Sequence, residues 1–150
     1  MTFQRRPQRF RWIPRAEKKA QVNLDCSLDQ KLDPIKIDSA HMRQAVLNCI
    51  RNAIEAMPNG GILSLSTQRK ENQVELAISD NGSGIHAEHQ VKVFDPFYSM
   101  KDKGTGLGLP FVGQIVEEHV GQVELHSEPQ KGTTILIRLP IIASINTQKE

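Results

Sequence analysis

The sequence is poor in cysteine, has no long apolar run, and holds no glycine at all before Gly60. Its two cysteines, Cys26 and Cys49, make neither a disulfide framework nor a metal-binding spacing, and both are expected as small buried thiols in a reducing compartment. No apolar stretch approaches the ~20 residues of a membrane span, and no apolar signal core opens the chain. The segment is therefore read as cytoplasmic, on its own or as the cytoplasmic part of a membrane-bound parent, making no membrane contact of its own. Hydrophobic residues still make up 38% of 150 residues, enough for one buried core and too many for a disordered chain.

Charge is unevenly placed. Residues 1–20 carry seven basic side chains against Glu17, a balance of +6, whereas the remainder has a balance of −4. Phe3, Phe10 and Trp12 lie in that basic arm, a composition that nucleic acid or an anionic surface can use. A linker or the severed end of a longer protein has the same composition, and we read residues 1–20 that way, with no nucleic-acid role. Residues 21–142 are expected as the domain and 143–150 as a tail.

Val22, Leu24 and Cys26 alternate as in a strand, and Ile35–Ile37 is a second short strand candidate. Asp38 stands where a helix cap belongs, ahead of apolar residues at helical spacing from Met42 to Met57. Pro58-Asn59-Gly60-Gly61 ends that helix. Strands are expected at Ile62–Thr67 and Val74–Ser79, around a polar turn at Arg69–Asn72. A short helix near Glu88–Val93 and a longer one from about Gly108 to His119 follow, with Pro110 in the first turn of the latter. Strands near Gln122–Ser127 and Thr133–Leu139 close the order. The fold class is α+β: a two-layer sandwich with a mixed, mostly antiparallel sheet and helices on one face.

Four segments carry chemistry. Asn48 and Asn52 stack on one helix face, flanked by His41, Gln44 and Glu55. Their carbonyl oxygens suit a hard cation and their NH₂ groups suit phosphate oxygens; a solvated helix face has the same spacing. Asp80 ends a strand and leads into Asn81-Gly82-Ser83-Gly84-Ile85, where a carboxylate can accept from an exocyclic amine and glycines admit a flat ring; an ordinary turn reads the same way. Gly104-Thr105-Gly106-Leu107-Gly108-Leu109 runs into a helix start, where free N–H groups favour an anion. Between the glycine clusters, Phe94-Asp95-Pro96-Phe97 and Lys101 have the composition of a lid, or of a loop anchored by core aromatics.

In this order the segments resemble the ATP-binding domain of sensor histidine kinases, especially the nitrogen-regulator type. Asn48–Met57 resembles the N box, Asp80–Ile85 the G1 box, Phe94–Phe97 the F box and Gly104–Leu109 the G2 box, and Gly132-Thr133 with the strand to Pro140 is similar to the closing motif. The resemblance implies the Bergerat α/β sandwich and the cofactors ATP and Mg²⁺. It implies Asp80 on the adenine amino group, with Gly82, Gly84, Ile85 and Thr133 around the ring. Asn52 would ligand Mg²⁺ and Asn48 would lie near the phosphates, these two being the catalytic residues. Gly104, Thr105, Gly106, Leu107 and Gly108 would wrap the triphosphate, with Phe94 and Lys101 in the lid.

Gyrase-type ATPases carry Glu at the position of Asn48, and an amide cannot act as a general base. The resemblance therefore implies transfer rather than hydrolysis. None of His41, His86, His89, His119 and His126 lies in an acceptor motif. The expected enzyme is the catalytic domain of a protein histidine kinase, phosphorylating a separate dimerisation domain with a response regulator downstream. The alternatives are an anti-sigma-factor-type serine kinase, another ATPase of the superfamily, or a non-catalytic nucleotide-binding module.

Overall fold

The computed structural model describes residues 8–12, 21–90, 93 and 108–141. Asp38 caps helix α1 (Ser39–Glu55), its carboxylate accepting the His41 N–H at 3.1 Å. That bond satisfies one of the donors that a helix start leaves without an internal partner. Met42, Ala45, Cys49 and Ala53 are buried at helical spacing, and Met57 continues the line past the helix end. Burial pushes the Cys49 thiol up to about 12, so it is a packing residue at neutral pH. Cys26 is only partly covered, unlike the expectation for it.

Five strands follow one another across the sheet in the order β2 (Val22–Ser27), β3 (Gly61–Lys70), β4 (Gln73–Asp80), β6 (Gly132–Pro140), β5 (Gln122–Glu128). A sixth, β1 (Gln8–Trp12), pairs antiparallel with the outer edge of β2. It arises inside the segment expected as an arm or linker. β2 and β3 run parallel because α1 carries the chain across between them; the other neighbours are antiparallel. The sheet is thus mixed and mostly antiparallel. Ile35–Ile37 forms no strand. Both edges of β2 are already taken by β1 and β3, and Pro34 lacks a ladder donor, so these residues serve as the approach to α1. Ile35 still packs on the core.

Helix α3 (Gly108–Glu118) lies beside α1, and the four-residue α2 (Ala87–Gln90) lies near β5. Val112, Ile115 and Val116 of α3 meet the α1 stripe and Val22, Leu63, Ile78, Ile135 and Ile137 of the sheet in one core. The opposite sheet face is polar. There Glu75 is buried, accepting from Gln68 Nε2 at 2.8 Å and Arg138 Nε at 2.9 Å, and Arg138 also donates to Glu124 at 2.6 Å. One face is a core and the other is not, which makes two layers. His119 ties the helices at their far ends: its Nε2 accepts the Asp38 N–H at 2.9 Å, so the proton sits on Nδ1, 2.7 Å from the Ile115 carbonyl.

Candidate nucleotide site

Helix α1 turns its amide stripe toward the start of α3. Asn48 is 8% exposed; its Oδ1 accepts from Gln44 Nε2 at 2.9 Å and its Nδ2 donates to the Gly108 carbonyl at 3.3 Å. Both ends of that carboxamide are committed. Asn52 donates Nδ2 to the Asn48 carbonyl at 2.9 Å, which leaves Oδ1 as the atom it offers outward. An ideal Cβ on Gly108 would lie 3.0 Å from Asn52 Nδ2, so glycine there lets α3 begin close against α1. Sequence reasoning assigned Gly108 to phosphate wrapping; its described contacts are with the two asparagines.

The second part of the site is built where β4 ends. Asp80 accepts the Gly82 N–H at 2.9 Å and stands directly opposite Thr133 on β6. Burial raises the Asp80 carboxyl above its ordinary 3.8, and the N–H groups of Gly82 and Thr133 oppose that rise. A carboxylate that is half desolvated and held by N–H donors is a fixed acceptor. The loop after it is clamped on both sides. Ser83 donates its N–H to the Ala56 carbonyl at the end of α1, and Gln130 donates its N–H to the Ser83 carbonyl at 2.6 Å. Ile85 donates its N–H to Ser127 Oγ at 2.7 Å. Gly82 approaches Ala56 too closely for a Cβ, and Gly84, at φ +72°, approaches Glu128 in the same way. These glycines serve close backbone approach.

Asp80 thus stands opposite Thr133 at one end of the sheet, with Gly82, Gly84 and Ile85 held beside Ala56, Glu128 and Ser127, while Asn48, Asn52 and Gly108 meet between the helices. Phe94, Lys101, Gly104, Thr105, Gly106 and Leu107 lie outside the described residues. Gln90 and Ser127 carry no signal in the sequence as parts of the site, whereas Gln44 flanks the amide stripe and Gly132 precedes Thr133 in the closing motif. Gly132 adopts φ +120°, and a Cβ there would overlap the Asp80 carbonyl. Gly132→Ala is expected to cost about 2–5 kcal/mol, the sum of left-handed strain and overpacking, read as a lowered thermal midpoint. An unchanged midpoint would refute that contact.

Among the described residues, no group of three or more His, Cys, Asp or Glu could hold a metal ion. A cation bound here would rest on amide oxygen and on oxygens that its ligand brings, which is how Mg²⁺ is commonly held beside phosphates. The Asn52 Oδ1 fits that use. Also among the described residues, no helix is long and apolar enough to cross a membrane.

A mixed sheet under two helices is a two-layer α/β sandwich, here with a fixed carboxylate at a strand end and paired amides on the adjoining helix. The chain belongs to the Histidine kinase-, DNA gyrase B-, and HSP90-like ATPase family, which residues 37–143 match. It is 39% identical over 104 residues to Sporulation kinase C of Bacillus subtilis (strain 168), covering 69% of this chain and 24% of that protein. It is 38% identical over 123 residues to the signal transduction histidine-protein kinase AtoS of Escherichia coli (strain K12), covering 81% and 20%. The catalytic domain of histidine kinase ThkA, in a nucleotide-free form, superposes with a TM-score of 0.71 at 26% identity, covering 80% of this chain and 79% of that one. The chain spans about a quarter or less of the length of these two curated relatives. Both relatives are kinases and the structural neighbour is a histidine-kinase catalytic domain, so the ATP-binding catalytic role is that of this domain type.

Proposed function

We propose that this domain binds ATP with Mg²⁺ and delivers the γ-phosphoryl group to a histidine imidazole on a separate dimerisation domain of its parent kinase. The observation that carries this reading is Asn48. Its two polar atoms are committed to Gln44 and Gly108, and an amide offers no base to activate water. An imidazole supplies its own nitrogen nucleophile, so it needs no base from this chain. That nitrogen attacks the γ-phosphorus, the bond to the bridging oxygen breaks, and ADP leaves. Asp80 holds the adenine amine with Gly82, Gly84, Ile85 and Thr133 around the ring, and Asn52 offers Oδ1 to the metal. When bound, Mg²⁺ neutralises charge on the phosphates. Phe94, Lys101 and residues 104–108 are the further expected contacts of the triphosphate. A response regulator then takes the phosphoryl group, and the domain works in the cytoplasm, where ATP is available.

The test is incubation with γ-labelled ATP. The chain alone is expected to bind ATP yet acquire no stable label, with hydrolysis well below the ~1–100 s⁻¹ typical of kinases on their own substrates. Adding a cognate dimerisation domain should yield an acid-labile phosphohistidine on that domain. Stoichiometric label on one of the five histidines here, or on a serine of an added protein, would overturn the reading.

A further inference from the structure

Gln44, Asn48 and Asn52 succeed one another at four-residue spacing on one face of α1. The first two carboxamides form a chain with a fixed direction. Gln44 Nε2 donates to Asn48 Oδ1 at 2.9 Å, and Asn48 Nδ2 donates to the Gly108 carbonyl at 3.3 Å. A carbonyl only accepts, so Gly108 takes the NH₂ end of Asn48 and turns its oxygen toward Gln44. Asn48 is 8% exposed, and a side-chain oxygen at that depth is costly without a donor. Gln44, on the exposed flank of the helix, brings that donor. The hold of Asn48 on the first residue of α3 is therefore conditional on a donor, and not an acceptor, at position 44.

We propose that Gln44 is a positioning residue for phosphoryl transfer, whose N–H orients the Asn48 carboxamide and, through it, the start of α3. The inference rests on the reading of Asn48 as a residue beside the phosphates and deepens it. Asn48 turned over would set Oδ1 against the Gly108 carbonyl, two acceptors with no proton between them. The start of α3 would move away from α1, and the close approach of Gly108 to Asn52 would be lost with it.

The experiment is a double-mutant cycle between positions 44 and 48, read as ATP affinity by isothermal titration. Gln44→Glu replaces the donor by an acceptor of nearly the same shape. Glutamate serves an exposed helix position as well as glutamine does, so the fold persists, which thermal unfolding checks. With the turned-over amide in about 90% of molecules, ATP affinity falls about tenfold. The added negative charge also repels the triphosphate, and the cycle separates that part. In the Asn48→Ala background, Gln44→Glu should weaken ATP by about twofold or less, because the charge is solvent-screened. Gln44→Arg, which keeps a donor, should show no excess effect when Asn48 is present. Without nucleotide, hydrogen exchange over the first turn of α3 should quicken in Gln44→Glu and stay as in wild type in Gln44→Arg. An equal Gln44→Glu penalty with and without the Asn48 carboxamide, the same excess in Gln44→Arg, or unchanged exchange in Gln44→Glu overturns the proposal. Failure of the Asn48 reading shows separately, as an ATP affinity that Asn48→Ala leaves unchanged.

Discussion

Replacing Asp80 by alanine is expected to weaken ADP and ATP binding about 30–150-fold, the worth of a lost hydrogen bond to a charged group in a partly desolvated site. The carboxylate is fixed by Gly82 and faces Thr133, so its orientation is set before any ligand arrives. Preorganisation of that kind has a stability cost with a definite sign. Burial raises the Asp80 carboxyl, so the folded state binds its proton more tightly than the unfolded state. Stability from this group is fully present below the ordinary 3.8 and is lost as pH rises through the raised folded value. Asp80→Asn keeps an oxygen for the Gly82 N–H and removes the buried charge. Without nucleotide it should be more thermally stable than wild type at neutral pH, with the gap closing as pH falls toward 3.8. Isothermal titration and thermal unfolding of the two variants check both statements. Unchanged ATP affinity in Asp80→Ala would remove the adenine assignment.

What the sequence made legible is what local physics determines. The Asp38 cap, the α1 stripe from Met42 to Met57 and the β3–β4 hairpin depend on neighbours a few residues away, and their patterns are visible along the chain. Partners distant in sequence were not visible. Whether Ile35–Ile37 becomes a strand depends on a free sheet edge, and β1 had already occupied the only one β2 could spare. Parallel pairing of β2 with β3 likewise has no local mark. In the candidate site, Asp80, Asn48 and Asn52 became legible only through the order of the motifs and the resemblance it carries, because a turn and a solvated helix face have the same local composition and spacing. Ser127 and Gln90 did not, because a serine in an alternating strand and a glutamine in a four-residue helix read as surface until the fold brings Ile85 onto them. Among the glycines, sequence reading saw ligand approach, whereas at Gly82, Gly84 and Gly132 the backbone that approaches is the protein's own.

Asn52→Ala is expected to remove the Mg²⁺-dependent part of ATP binding and to slow phosphoryl transfer about 100-fold or more, since a misplaced phosphate loses the in-line geometry. The fold should persist. Asn52 is only partly buried, alanine is the best helix former, and the lost Nδ2 bond to the Asn48 carbonyl duplicates an acceptor that the helix already uses. The complication is packing, because Asn52 also touches the start of α3. A side chain on Gly108 would press on Asn52 Nδ2, so Gly108→Ala alone should crowd the α1–α3 contact. Removing the carboxamide opens that space. The Asn52→Ala/Gly108→Ala pair should therefore unfold at a higher temperature than the sum of the single effects allows, a coupling that a double-mutant cycle reads directly. Restored packing should bring back neither the Mg²⁺ dependence nor transfer, because no methyl group supplies a metal-binding oxygen. Titration with ATP, with and without Mg²⁺, and transfer to the dimerisation domain separate the roles. If the double variant regains Mg²⁺ dependence, Asn52 acts on α3 alone and the metal ligand lies elsewhere.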